Sequence, residues 1–119
     1  MRYMLLIYGG EAAMANATEA ERQAEMVKWG EYTEDMRSSG AFLAGDPLQP
    51  IATATTVRDN GGEPLVTDGP FAETKEALGG YYILEVADLD EAIKWAHKCP
   101  GARHGSIELR PIMEFSGAS

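Results

Sequence analysis

Asp68 stands at the end of an apolar-leaning run and directly before a turn, in Val66-Thr67-Asp68-Gly69-Pro70-Phe71. A carboxylate at a strand end is placed to face a cleft. Partly withdrawn from water, it can take up a proton as a general base or hold a cationic group. It is the candidate catalytic residue. A plainer role is also open to it, because Asp caps turns through its own backbone. Glu73, Thr74, Lys75 and Glu76 follow closely. A polar loop beside a strand end can close over a small ligand, with Lys75 anchoring an anion and Glu73 beside it. Alternating charge of this kind also makes an ordinary solvated surface. Near the C-terminus Glu108 and Arg110 share one side of an alternating run. An Arg fork binds a carboxylate or phosphate at two points, and a Glu–Arg pair can equally fix two subunits against each other. His104 precedes that run and could reach a strand-end cleft, although a lone loop histidine is commonly incidental. These residue types together describe acid–base chemistry on a small, polar or anionic ligand.

Other chemistries lack their residues. No His/Cys group has metal-ligand spacing, and there is no glycine-rich phosphate loop or Gly-x-Ser-x-Gly elbow. The expectation is therefore no metal and no cofactor. With 19 acidic against 10 basic residues the net charge is −9, so a phosphate backbone is repelled and no nucleic-acid partner is expected. Anionic membranes are disfavoured for the same reason. No apolar run approaches the roughly 20 residues of a membrane span, and the apolar start Met1–Tyr8 runs into Gly9-Gly10-Glu11 without a small-residue cleavage site. The single cysteine, Cys99, excludes an internal disulfide and fits a reducing, cytoplasmic setting.

The elements that must position these residues follow from periodicity. Residues 2–8 are apolar in both alternating sets, which predicts a strand in the middle of a sheet. Residues 9–17 read as a loop. Thr18 with Glu21 is a capping box, and Met26, Trp29, Thr33 and Met36 predict the inner face of a helix ended near Gly40. Residues 41–49 read as a short edge strand limited by Pro47 and Pro50. Residues 53–58 and 64–67 flank Asp59-Asn60-Gly61-Gly62, a hairpin turn, and 71–80 read as a loop. Residues 81–86 predict another strand. Asp88 with Glu91 starts a second helix, whose stripe is Leu89, Ala92, Ile93 and Ala96. The run 105–115 predicts the last strand, with Ile107 and Leu109 facing the helices and Glu108 and Arg110 facing away.

This order predicts an α+β fold of ferredoxin-like type, an antiparallel sheet with two helices on one face. The 45% hydrophobic content suits one packed core, and 119 residues suit one domain, 1–119. The strands at 2–8 and 81–86 are apolar on both sides, yet helices cover only one. The other side would be a large exposed patch, and the simplest cover is a second copy packed sheet to sheet. The expected partner is therefore the chain itself, as a homodimer.

The block Val66–Glu76 resembles the signature of the DGPF branch of the YCII-related family. Tyr3–Tyr8, Leu78–Tyr82, Asp88–Ala92 and Gly105–Pro111 are similar to its other blocks. The resemblance implies a ferredoxin-like domain of the dimeric α/β-barrel group. The wider family is suspected of enzymatic activity because of a histidine in the first helix and an aspartate near the end of the second. Here the histidine's position falls nearest Trp29 and the aspartate's at Cys99 before Pro100. The His–Asp pair is absent, and chemistry resting on it does not carry over. DGPF-type proteins also resemble partners found alongside extracytoplasmic-function sigma factors. Two functions are thus expected: a small-ligand domain or cofactor-free acid–base enzyme with its cleft at the dimer's sheet face, or a non-enzymatic regulatory and interaction module.

Overall fold

The structure, a computed structural model, describes residues 1–115, less the side chains of Ala13 and Met14. In chain order it has β1 (Arg2–Gly9), α1 (Glu11–Ala15), α2 (Glu19–Ser38), β2 (Phe42–Pro47), β3 (Thr55–Asn60), β4 (Glu63–Asp68), β5 (Ala77–Glu85), α3 (Leu89–Lys98) and β6 (Gly105–Pro111). Short 3₁₀ turns span Ile51–Thr53 and Pro100–Arg103. Four strands form one antiparallel sheet in the order β2-β5-β1-β6, and β3 and β4 form a separate two-stranded sheet. The architecture is α+β and agrees with a ferredoxin-like plan.

The two-sided apolar strand is central, as its pattern requires: β1 lies between β5 and β6. Its Tyr3 and Leu5 turn to the helices. There they meet Tyr82 and Leu84 of β5, Tyr32 and Met36 of α2, and Ala92, Trp95 and Cys99 around α3. Each large side chain buried this way contributes on the order of 1.5–3 kcal/mol. The aromatic members meet edge to face, with Tyr32 centred 5.6 Å from Tyr82 and 5.9 Å from Trp95. Their polar tips are satisfied: the Tyr32 hydroxyl donates to the Trp95 carbonyl at 2.7 Å, and the Tyr82 and Thr33 hydroxyls share a hydrogen bond of 2.6 Å.

Both helix starts form where the sequence marks them. The Thr18 hydroxyl accepts from the Glu21 amide while the Glu21 carboxylate accepts from the Thr18 amide, and the Asp88 carboxylate accepts from the Glu91 amide. The inner faces differ from their predicted stripes. Met26 is 73% exposed, because α2 reaches the core only from Trp29 onward and its first half overhangs. The working face is Trp29, Tyr32, Thr33 and Met36. In α3, Leu89 and Ile93 lie outside, and Ala92, Trp95, Ala96 and Cys99 lie inside. The larger apolar area of Trp95 sets the rotation of that helix. The segment 9–17 is not wholly a loop, since α1 occupies part of it, and the last strand stops at Pro111.

The hairpin turn is the two-residue type that tolerates positive φ at both positions, Gly61 at +63° and Gly62 at +97°. Its strands stand apart from the body. Every residue of β4 is exposed, and in β3 only Thr56 is partly covered. The described chain measures 50 × 47 × 18 Å with a radius of gyration of 16.6 Å, against about 13.5 Å for a compact chain of this length. It is a flat slab from which the hairpin projects.

Candidate functional site

The helix-free face of the sheet is built by register. On β1 it carries Arg2, Met4, Leu6 and Tyr8, opposite Glu85, Ile83 and Tyr81 of β5 and Arg110, Glu108 and Ser106 of β6. Met4, Leu6 and Ile83 form an apolar centre, and the charges lie around it. The β1–β5 register shifts between Ile7 and Tyr8, which brings Tyr8 opposite Leu78. An irregularity of this kind re-aims a side chain at a sheet end.

At that end lies a cavity of about 500 Å³, floored by Tyr8 and Leu78 and walled by the segments 48–54 and 70–77. Neither wall has a repeating pattern of its own. Long-range hydrogen bonds hold them. The Leu48 amide donates to the Gly79 carbonyl at 2.8 Å, and the Ile51 amide donates to the Glu11 carboxylate at 2.8 Å. The Gly69 amide donates to the Ala54 carbonyl at 2.7 Å, while the Thr56 hydroxyl donates to the Gly69 carbonyl at 2.8 Å. Gly69 sits at φ +98°, a conformation that only glycine adopts without strain, and it delivers Pro70 and Phe71 to the cavity rim. On the far side the Ser106 hydroxyl donates to the Glu76 carboxylate at 2.6 Å, tying the loop to β6.

The cavity's polar groups include the Tyr8 phenol, Thr74 and Glu76 in a largely apolar lining. Burial first, and then the neighbouring Glu108 carboxylate, push the Tyr8 phenol above its usual value near 10, with the Arg110 guanidinium pulling the other way. Tyr8 is therefore a neutral hydrogen-bond donor and acceptor at any ordinary pH.

The predicted site residues divide into three sets. Glu108 and Arg110 are exposed on the open face, opposite Leu6 and Met4. Asp68 ends β4 opposite Thr55 and is exposed at the base of the hairpin, and the following amide serves Ala54 rather than the Asp68 carboxylate. Glu73 and Lys75 are exposed on the same loop whose Phe71, Thr74 and Glu76 line the cavity. His104 does not join them. Its Nε2 lies 3.8 Å from the Glu25 carboxylate of α2, in a shallow charged groove on the helical side. Trp29 packs among the core aromatics and Cys99 is fully buried, with burial pushing its thiol above the usual range. Tyr8 and Ser106 are additions to the site, and Glu76, which alternating charge alone reads as solvated surface, lines the cavity. Of these, Tyr8 carried a signal in the sequence, as a polar-tipped residue ending an otherwise apolar strand set.

Comparison with known proteins places this geometry in context. The chain is 35% identical over 114 residues to an uncharacterised protein of Rhizobium meliloti (strain 1021), covering 94% of this chain and 92% of that one. Among solved structures it is similar to the 5-chloro-2-hydroxyhydroquinone dehydrochlorinase of Burkholderia phenoliruptrix AC1100 in complex with 2,5-dihydroxybenzoquinone. The TM-score is 0.50, over 97% of this chain and 96% of that one. At 11% identity that likeness speaks to the fold alone. The family model for the YCII-related domain matches residues 1–116, and the chain belongs to the YCII-related domain family.

Proposed function

We propose that the protein is a small-ligand-binding domain that works as a homodimer, with its site in the cavity beneath the Phe71–Ala77 loop. The observation that carries this reading is the cavity itself: an open, largely apolar cleft of about 500 Å³ with a few polar groups has the general make-up of a small-molecule site. The ligand it suits has an apolar or aromatic body and a hydroxyl or amine that meets Tyr8 and Glu76. Among the described residues no Lys or Arg lines the cleft, so an anionic group is held at the rim, by Arg110 from the open face or Lys75 from the loop, with Glu73 beside it. If turnover occurs it is acid–base chemistry, with Asp68 as base or anchor at the hairpin end of the loop and the Tyr8–Glu108 neighbours as the alternative proton path. The half-buried apolar centre of Met4, Leu6 and Ile83 supports a second copy over the open face.

The experiment is a thermal-shift screen of small carboxylates, phosphates, amines and phenols on the wild type, Asp68→Asn, Glu76→Gln and Tyr8→Phe. At least one compound is expected to raise the wild-type melting temperature and to bind one or more variants at least about tenfold more weakly, worth about 1.4 kcal/mol. If hits bind all four proteins equally, the cavity is not the site. If nothing shifts the wild type, the regulatory and interaction reading takes precedence, with the exposed hairpin as its surface.

A further inference from the structure

We infer that the ligand of the cleft is a protonated amine on an aromatic body, with the Glu76 carboxylate as its counter-ion; this rests on the reading of the cleft as a small-ligand site and narrows its ligand class.

Glu76 differs from the other carboxylates of the chain. Among the described residues only Glu25, Glu76 and Glu91 are half-buried acids, and the rest are exposed. Glu25 has Lys28 and His104 beside it. Glu91 lies in the first turn of α3 and accepts from the Ala87 amide, where the helix N-terminus favours a negative charge. Glu76 has neither kind of support. Its one side-chain partner among the described residues is the Ser106 hydroxyl at 2.6 Å, and no cation pairs with it. Ser106 stands directly opposite Tyr8 across the β1–β6 ladder. Register and this one hydrogen bond thus bring the Glu76 carboxylate and the Tyr8 phenol to the same end of the sheet, and both line the cleft. A carboxylate partly withdrawn from water and left without an opposite charge is under-compensated. An ammonium group supplies that charge together with three N–H donors.

The surroundings carry the same sign. The Glu11 carboxylate accepts from the amide of Ile51, a residue of the opposite wall, at 2.8 Å. At the Tyr8 phenol the Glu108 carboxylate outweighs the Arg110 guanidinium. Lys75 and Arg110 stand at the rim and not in the lining, and the net charge of −9 adds to the same field. Such a field concentrates cations and repels anions. The aromatic half of the ligand class comes from the rings. Tyr8 at the floor and Phe71 at the rim line the cleft, and Phe71 is 78% exposed, so an aryl group bound beside it removes apolar surface from water. Ring faces also attract an ammonium. A hydroxyl in place of the amine makes a neutral donor to Glu76, and the charge-assisted bond is roughly twice as strong. The amine is therefore preferred to the alcohol of the same shape, and both to a carboxylate.

The test titrates three probes of similar size, phenethylamine, phenethyl alcohol and hydrocinnamate, into wild type and Glu76→Gln, with calorimetry for affinity and backbone amide NMR shifts for location. Gln keeps an oxygen that accepts from Ser106, so the variant removes the charge and leaves the tie. In wild type the amine is expected to bind at least about tenfold more tightly than the alcohol, the carboxylate more weakly than either, and the shifts to fall on Tyr8, Ala72 and Leu78. In Glu76→Gln the ratio of amine to alcohol affinity should fall to within about threefold. The order of the three probes on wild type decides the ligand class even if the variant does not fold. An alcohol or carboxylate that binds at those amides as tightly as the amine, or an amine advantage that persists in Glu76→Gln, overturns the amine class and leaves the cleft as a site. Amine shifts confined to the charged groove of Glu25, Glu31 and Asp35 overturn it as well. If none of the three binds while another compound of the thermal-shift screen moves the cleft amides, the class falls alone. If no compound moves them, the class and the cleft reading fall together.

Discussion

Tyr32→Phe deletes one oxygen from the centre of the core, and its consequence depends on pH in a way that the structure specifies. The Tyr32 ring is 5% exposed and its hydroxyl donates to the Trp95 carbonyl at 2.7 Å. That carbonyl also accepts from the Cys99 amide at 3.1 Å, so removal of the hydroxyl leaves no orphaned acceptor. The loss near neutral pH is then that of one net hydrogen bond, about 1 kcal/mol, or about 4 °C in Tm for a chain of this size. At alkaline pH the order reverses. Burial, and secondarily the neighbouring Cys99 and Tyr82, push the Tyr32 phenol far above its ordinary value of 10.0. The folded state thus holds this proton more tightly than the unfolded chain does. The stability it contributes is complete below about pH 10, where the unfolded phenol titrates, and is lost as pH rises above that, by about 1.4 kcal/mol per pH unit.

By about pH 11 the loss from Tyr32 exceeds the single hydrogen bond, and wild type should become the less stable protein. Urea midpoints of wild type and Tyr32→Phe, taken at intervals from about pH 8 to 11, should cross between about pH 10 and 11. Burial also raises Tyr82 and Cys99. Both proteins share those groups, so each curve falls in alkali and the difference reports Tyr32 together with its coupling to Cys99. Two parallel curves with a constant gap would refute the reasoning, because they would mean that the phenol ionises as easily folded as unfolded.

The remaining predictions concern packing and capping. A Cβ on Gly45 would lie 2.5 Å from Cδ1 of Tyr82, a ring held in place by Thr33 and by Tyr32. Gly45→Ala should therefore cost about 1–3 kcal/mol in denaturant titration, and an unchanged midpoint would show that the ring can yield. Thr18→Ala removes half of the capping box and should cost about 1 kcal/mol, while Thr18→Ser should recover most of it. Arg2 and Glu114 form a well-aligned pair at 2.9 Å but an exposed one, so Arg2→Gln should change the urea midpoint by an amount near the error of the measurement.

Much of the scaffold was legible because its signals are local. A capping box needs residues three apart, and a glycine pair between two β-branched runs allows few other structures. The alternation at Ile107, Glu108, Leu109 and Arg110 likewise allows only one division into faces once the helices take one side. Helix phase was less legible. In α3, Leu89 and Ile93 fit an apolar stripe as well as Trp95 and Cys99 do, and the choice depends on which side chains fill the space above Tyr82 and Leu84. That is a property of the assembled core and not of the helix. In α2 the periodic face continues back to Met26, past the point where the sheet ends beneath it. Periodicity describes a helix and carries no information about the extent of its neighbour.

The candidate site lies where sequence patterns are weakest, and the physics gives a reason. Apart from Tyr8 and Leu78, the cavity is made by segments 48–54 and 70–77, whose course is set by bonds such as Leu48 to Gly79 and Gly69 to Ala54. A backbone held by individual long-range contacts can take a shape that no repeating element offers, and for that reason it can enclose a cavity. The same segments hold the hairpin at their centre, so the chain from Leu48 to Ala77 supplies both the walls of the cavity and the projecting hairpin. The helical side holds the core and the charged groove beside His104. Of the six residues singled out by type and spacing, only His104 lies against a helix there. Glu108 and Arg110 lie on the open sheet face, Glu73 and Lys75 on the loop beside the cavity, and Asp68 at the base of the hairpin. What covers that face therefore decides whether they act on a ligand or on another protein surface.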